Sequence, residues 1–130
     1  MSFRNAVREY RVAPFDDGTG GIVAAPTTSL PEAIGGHRNW DYRYCWLRDA
    51  YFTVGALNRL GATRTMEGFI RFILDAVLAG NEAKAIAPLF RVCGRQDLNE
   101  RVAPALRGYQ GIGPVRFGNG AASQVQDDVY

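Results

Sequence analysis

The sequence lacks the features that mark several common classes of protein. It has only two cysteines among 130 residues, Cys45 and Cys93, and neither lies in a Cys-x-x-Cys pair or a Cys/His cluster. We therefore expect no metal site, and nothing in the spacing supports a disulfide. No continuous apolar stretch marks a signal peptide or a spanning helix. We expect a cytoplasmic protein with no membrane partner.

An excess of one charge is also missing. The formal net charge is only +2, and the basic residues are scattered between Arg4 and Arg116 without a run that could follow a phosphate backbone. We therefore predict no nucleic-acid partner. The hydrophobic fraction of 47% is that of an ordinary globular chain with a core.

The apolar residues predict two helices in the middle of the chain. A dense run from Tyr42 to Leu60 covers more than one helix face, and Gly61 follows it in the usual C-terminal position. A second run from Thr65 to Leu78 is followed by Gly80. Two helices with a short link form an αα-hairpin. Because both are apolar on several sides, we expect burial on several sides and a mainly α fold that is part of a larger helical assembly.

The rest of the chain predicts short or irregular segments, since glycine and proline interrupt it repeatedly. The expected segments are a short amphipathic helix at 2–11, a buried extended run at 22–25, a loop at 26–38, a short strand at 88–94, irregular chain at 94–119 and the start of a helix at 121–130.

Residues 37 to 52, HRNWDYRYCWLRDAYF, combine aromatic rings with charged side chains. Such mixtures bind sugars, because apolar pyranose faces stack on Trp or Tyr while hydroxyls pair with Arg and Asp. On a helix that already includes Tyr42, the side chains of Tyr42, Trp46 and Asp49 would share one stripe, with Arg48 about 100° around from Asp49. The same spacing also fits an ordinary core with a surface ion pair.

Two longer stretches resemble the bacterial branch of glycoside hydrolase family 15, the glucoamylase and trehalase family. Residues 24–50, AAPTTSLPEAIGGHRNWDYRYCWLRDA, resemble its signature, and residues 108–130, GYQGIGPVRFGNGAASQVQDDVY, resemble the next block in the same order. The resemblance implies a partial (α/α)6 toroid with an active-site funnel at one end, long loops and one or two short strands. Residues 1–130 would form a single segment, the truncated N-terminal part of the catalytic domain.

The resemblance also assigns substrate-binding positions around a terminal glucose. Arg48 and Asp49 would hold its hydroxyls, and Trp46 would wall the pocket. Tyr42 would lie near the ring oxygen, where positive charge develops in the transition state. Three further residues belong to a block that borders the same funnel: Arg116, Asn119 and Asp128.

Members of this family hydrolyse α-glucosidic bonds from the non-reducing end with inversion, or cleave trehalose, and need no cofactor. Inversion requires a carboxylic acid and a carboxylate base about 6.5 to 9.5 Å apart. The glutamates in this chain do not match the family's catalytic motifs, so we expect both catalytic residues downstream of Tyr130. The 130 residues are then expected to be inactive alone, and His37 to be structural.

Three functions remain open from the sequence. The chain is part of a glycosidase acting on an α-glucoside or oligosaccharide, or a non-catalytic sugar-binding or regulatory remnant of the same fold, or a helical interaction module that keeps the family's sequence as scaffold. In each case an incomplete toroid would leave Phe52 and Phe69 partly uncovered. Self-association or marginal stability is expected.

Overall fold

The computed structural model describes residues 18–79, 86–95 and 98–126. Within these ranges the chain forms two α-helices and six short strands in three antiparallel pairs. The elements are β1 (Thr28–Pro31), β2 (Asn39–Asp41), β3 (Cys45–Trp46), α1 (Leu47–Arg59), α2 (Thr63–Leu78), β4 (Leu89–Phe90), β5 (Arg101–Val102) and β6 (Arg116–Phe117), with 3-10 turns at Tyr109–Gly111 and Gly120–Ser123. The helix predicted over 2–11 lies outside the described residues.

The predicted αα-hairpin is confirmed. Gly61 adopts a φ of +81°, the left-handed conformation that ends many helices and favours glycine. The Gly61 N–H donates to the Asn58 carbonyl and the Ala62 N–H to the Leu57 carbonyl, each at 2.9 Å. These two bonds satisfy carbonyls that the last turn of α1 would otherwise leave without donors. The chain then re-enters a helix at Thr63.

The predicted start of the first helix at Tyr42 is wrong, because the helix begins at Leu47. The two residues before it form β3, which pairs with β4. The Leu47 N–H donates to the Pro88 carbonyl, just before β4, at 3.0 Å. This N–H is therefore not bonded to a preceding turn of helix. Trp46 and Asp49 therefore do not share a helix stripe with Tyr42.

Burial of the helices on several sides is not found within the described ranges. Ala50 is the buried residue of α1, and Phe72 and Ala76 are those of α2. Tyr51 and Phe52 on α1 are 70% and 67% exposed. The hairpin is thus covered on one side, where it packs on β3 and β4.

Strands are more numerous than the one or two predicted. The predicted loop over 26–38 contains β1, which pairs with β2 around an irregularity between Thr28 and Leu30. Ser29 lies at that irregularity with a φ of +57°, and its Oγ accepts the Arg116 N–H at 2.9 Å. The hydrogen bond from the Arg116 N–H to the Ser29 hydroxyl helps to stabilise the positive φ of Ser29.

The C-terminal part of the chain is mostly irregular, as predicted for 94–119, apart from β5, β6 and the first 3-10 turn. The strand predicted over 88–94 is confined to Leu89–Phe90. In place of the helix predicted from Ala121, a 3-10 turn at Gly120–Ser123 leads into extended chain at Gln124. Residues 127–130 lie outside the described part.

The strand β3 separates two hydrophobic clusters, since successive side chains of a strand point to opposite faces. Cys45 joins the helix-side cluster, whose other buried members are Ile22, Ala50, Phe72, Ala76 and Phe90. Trp46 joins the opposite cluster, whose other buried members are Tyr44, Leu89, Leu98 and Ala121. Ile22 is 1% exposed, whereas Val23, Ala24 and Ala25 are only half-buried, so the buried run predicted at 22–25 is confirmed at Ile22 alone.

Candidate functional site

Three aromatic rings form one wall beside β3, here called the aromatic wall: Trp40, Tyr42 and Trp46. The centroid of the Trp46 ring lies 6.0 Å from that of Tyr42 and 6.1 Å from that of Trp40, the second pair edge to face. Trp46 itself is only 5% exposed. The rings of Trp40 and Tyr42 therefore present the accessible part of the wall, and Trp46 supports them from behind.

The predicted charged pair lies directly after the wall, in the first turn of α1. Arg48 Nη2 is 3.6 Å from Asp49 Oδ2, and the two side chains are 44% and 38% exposed. An acidic side chain in the first turn is favoured by the partial positive charge of the helix N-terminus. Both groups thus reach solvent at the end of the helix that adjoins Trp46.

The charges of Arg48 and Asp49 affect the pKa of the Tyr42 hydroxyl. Burial raises the pKa of Tyr42, the carboxylates of Glu32 and Asp49 raise it further, and Arg48 opposes them. The pair is therefore within electrostatic reach of the wall. Tyr42, Trp46, Arg48 and Asp49 lie along the stretch that runs through β3 into the first turn of α1 and not on one helix stripe, and their contact with sugar stays a prediction.

Asp41 is a buried carboxylate to which sequence reasoning gave no role of its own. Its side chain has no exposed surface, and Arg43 donates to it twice, from Nε at 2.9 Å and from Nη2 at 2.8 Å. The Arg43 backbone N–H adds a third bond at 3.1 Å. This Asp-x-Arg turn could have been found from its spacing, because aspartate often accepts from the backbone two residues on.

Asn119 lies beneath the wall, not on its surface. It is 2% exposed, its Nδ2 donates to the Asp41 carbonyl at 3.0 Å, and its Oδ1 accepts the Ala121 N–H at 3.0 Å. The amide bonds are thus made to the protein's own backbone. Sugar contact by Asn119 remains a prediction, and Asp128 lies outside the described residues.

Arg116 lines a separate open depression of about 350 Å³ that also includes His37, Arg38, Trp40 and Glu100. Arg116 Nε is 3.2 Å from Glu100 Oε1, and Nη1 donates to the His37 carbonyl at 3.1 Å. The Arg38 guanidinium lies 5.3 Å from the centre of the Trp40 ring. Trp40 therefore belongs both to the aromatic wall and to this depression.

Two absences hold within residues 18–79, 86–95 and 98–126. No three His, Cys, Asp or Glu side chains there come together in a way that could hold a metal ion. No helix there has the length and apolar character needed to cross a membrane.

Stacking surface beside an Arg–Asp pair is the arrangement that carbohydrate-binding sites use. Comparison with known families identifies the class. The family described as glycosyl hydrolases family 15 matches residues 9–130, so the chain belongs to that family. The predicted resemblance is confirmed.

Several curated relatives are enzymes named trehalase. The trehalase of Mycolicibacterium smegmatis is 45% identical over 113 residues, which cover 86% of this chain and 17% of the relative. The trehalase of Thermoplasma acidophilum is 43% identical over 116 residues, covering 89% and 19%. Trehalase 1 of Sulfolobus acidocaldarius is 41% identical over 111 residues, covering 85% and 20%. The chain thus spans about a fifth of the length of these relatives. No solved structure matches it significantly.

Proposed function

We propose that this chain contributes the terminal-glucose wall to a glycosidase that hydrolyses α-glucosidic bonds with inversion. The junction between β3 and α1 carries the proposal, because it gathers Trp46 and the Arg48–Asp49 pair beside Tyr42. Trehalose is the first substrate to test, since the relatives compared above are named trehalases. Glucoamylase-type cleavage of maltose-like oligosaccharides is the second activity to test.

Each residue has a distinct task in this proposal. The Arg48 guanidinium donates to sugar hydroxyls and the Asp49 carboxylate accepts from them, so together they fix the orientation of the terminal ring. Tyr42 has a raised pKa, so its phenol stays neutral and polarisable beside the ring oxygen, where oxocarbenium character develops. Trp46 keeps that phenol in place through ring contact.

The general acid and base are supplied, in this proposal, by residues outside the 130 of this chain. Two carboxylates act on Tyr42, and both already have partners: Glu32 accepts from the Trp40 indole, and Asp49 pairs with Arg48. A carboxylate held in this way suits binding better than proton transfer. The α1–α2 hairpin then forms one of the hairpins of an (α/α)6 toroid, and the enzyme acts in the cytoplasm without a nucleic-acid or membrane partner.

The decisive experiment compares Asp49→Ala with Asp75→Ala in the full-length protein that contains this chain. Asp75 is an exposed carboxylate on α2, so its loss controls for the change of charge. We expect Asp49→Ala to lower kcat/KM on trehalose by about 1000-fold, because orientation and hydroxyl contacts are lost together. Circular dichroism should show unchanged helicity in both variants.

NMR of the earliest products tests inversion: from trehalose, inversion releases one β-glucose from the attacked residue and one α-glucose as the leaving group, whereas retention releases α-glucose alone. Release of α-glucose without β-glucose, or an active and well-folded Asp49→Ala enzyme, would contradict the proposal. Glucose binding without hydrolysis of trehalose or maltose would instead support a non-catalytic sugar-binding remnant.

A further inference from the structure

We infer that Asn119 is a positioning residue that orients Trp46 through the backbone carbonyl of Asp41. The inference rests on the proposed function for its effect on sugar binding. It gives Asn119 a role different from direct contact with sugar.

One carbonyl oxygen joins the two side chains. The Asp41 carbonyl accepts the Asn119 Nδ2 at 3.0 Å and the Trp46 Nε1 at 3.4 Å. A carbonyl oxygen has two lone pairs, so both donors can be served at once. The indole bond is the longer one, and it depends on the direction in which this carbonyl points.

The shared carbonyl lies where water cannot replace a lost donor. Asp41 and Asn119 are each 2% exposed and Trp46 is 5% exposed. Without the Asn119 amide, the Asp41 carbonyl keeps only the longer indole bond, and the buried peptide shifts to improve it. Loss of the Asn119 amide therefore acts on the Asp41 peptide, and through it on the indole.

The position of Asn119 is itself fixed by its neighbours. Its N–H donates to the Leu98 carbonyl at 2.9 Å, and its Oδ1 caps the turn that begins at Gly120. The preceding Gly118 has a φ of +83°, and a Cβ there would lie 2.1 Å from the Asn99 carbonyl oxygen. Only glycine permits this approach, so the segment that presents the Asn119 amide has little freedom to move.

The arrangement favours positioning over sugar contact. Both polar ends of the Asn119 side chain are bound to backbone groups, and almost none of its surface reaches solvent. Trp46, by contrast, touches both rings that line the accessible face of the wall. A tilt of its indole moves the surface on which the terminal glucose would stack.

The chain offers a matched control in Asn39. It is also 2% exposed, and its Nδ2 also donates to a backbone carbonyl, that of Pro114, at 2.9 Å. It has no bond to the Asp41 carbonyl that holds the indole. Asn119→Ser and Asn39→Ser therefore each remove one amide donor to a backbone carbonyl. The Oδ1 of Asn39 is buried without a hydrogen-bond partner among the described residues, so an accepting oxygen is needed only at 119, where serine retains an oxygen that can cap the following turn.

The test uses the full-length protein, with trehalose and maltose as substrates. We expect Asn119→Ser to raise KM about fivefold with little change in kcat, the effect of one lost hydrogen bond on ground-state binding. Asn39→Ser should change KM less than twofold, because it breaks no bond to the Asp41 carbonyl. In a Trp46→Phe background, where no indole N–H remains, Asn119→Ser should leave KM unaltered.

Near-ultraviolet circular dichroism separates this inference from the proposed function. The band lost in Trp46→Phe reports the orientation of that indole, whether or not sugar binds. It should weaken in Asn119→Ser and persist in Asn39→Ser. Equal spectra in the two serine variants, or a full Asn119→Ser effect on KM without the indole N–H, would overturn the inference. Absence of sugar binding and hydrolysis in the wild type, with the spectral difference present, would instead reject the proposed function alone.

Discussion

At the scale of single residues, burial separates the two cysteines. Cys45 is fully buried, and burial raises its pKa to about 11. Cys93 is exposed, and a hydrogen bond from the Arg95 backbone lowers its pKa. Because the thiolate is the reactive form, the two thiols differ both in access and in the fraction that is ionised near neutral pH.

This difference predicts selective alkylation. At pH 8 a thiol with a pKa of about 11 is roughly one thousandth ionised, so iodoacetamide should label Cys93 and leave Cys45 unmodified on the same timescale. Raising the pH toward the pKa of Cys45 increases its ionised fraction, but burial still restricts access. Peptide mass spectrometry measures each site. Denaturant should abolish the difference, and equal labelling without denaturant would contradict the described burial.

Residues that are neighbours along the chain stay close in the structure. Tyr42, Arg48 and Asp49 belong to one short segment and lie within electrostatic reach of one another, while the roles that the family resemblance assigns to them stay predictions. The link between Asp41 and Asn119 spans 78 positions, and no local pattern encodes it. Long-range bonds to backbone carbonyls have no residue signature, because every residue carries a carbonyl.

At the scale of elements, the helices were predictable from their apolar period and from the glycine that ends α1. The residues at which the helices begin were harder to predict. The stretch at 42–47, apolar except for Arg43, suits a helix or a strand equally well over so short a length. Pairing with β4, more than forty positions away in the sequence, stabilises the strand conformation over the helical one.

Two glycines of the hairpin test this account of how α1 ends. Gly55 lies inside α1 and Gly61 just beyond it with a φ of +81°, and no heavy atom lies within 4 Å of the place a Cβ would take at either. Gly61→Ala should destabilise the protein by about 1 kcal/mol through backbone strain alone. Gly55→Ala should stabilise it by roughly 0.5 to 1 kcal/mol.

Urea unfolding of the two variants measures both changes under the same conditions. The opposite signs make each glycine the control for the other. Shifts in the same direction would mean that α1 does not end at Gly61 as described.

At the scale of the whole molecule, the hairpin carries a large uncovered apolar surface. Phe52 and Leu60 on and beside α1 are 67% and 82% exposed, and Leu74 and Leu78 on α2 are 55% and 80% exposed. Patches of this kind mark surfaces that another part of a protein, or another copy, covers. Apolar residues appear on several sides of each helix in the sequence, and burial of these faces in an (α/α)6 toroid stays a prediction.

This surface predicts that the 130 residues expressed alone self-associate. Phe52→Glu should shift the sedimentation profile toward monomer, because a charge on the uncovered face opposes its burial. Ile34→Glu is the control, since Ile34 is 95% exposed in a turn away from the hairpin. Monomeric wild-type chain at tens of micromolar, or an equal response to both substitutions, would contradict the prediction.

The two-residue strand β3 places Cys45 against the helices and Trp46 within the aromatic wall. A change of volume next to Cys45 would displace the peptide that it shares with Trp46, and so move the rings on the opposite face. Substitutions among residues on the helix side of this strand, which lie away from the aromatic wall, would therefore still shift its rings. Variant libraries that test the proposed sugar-binding role should include both sides of the strand.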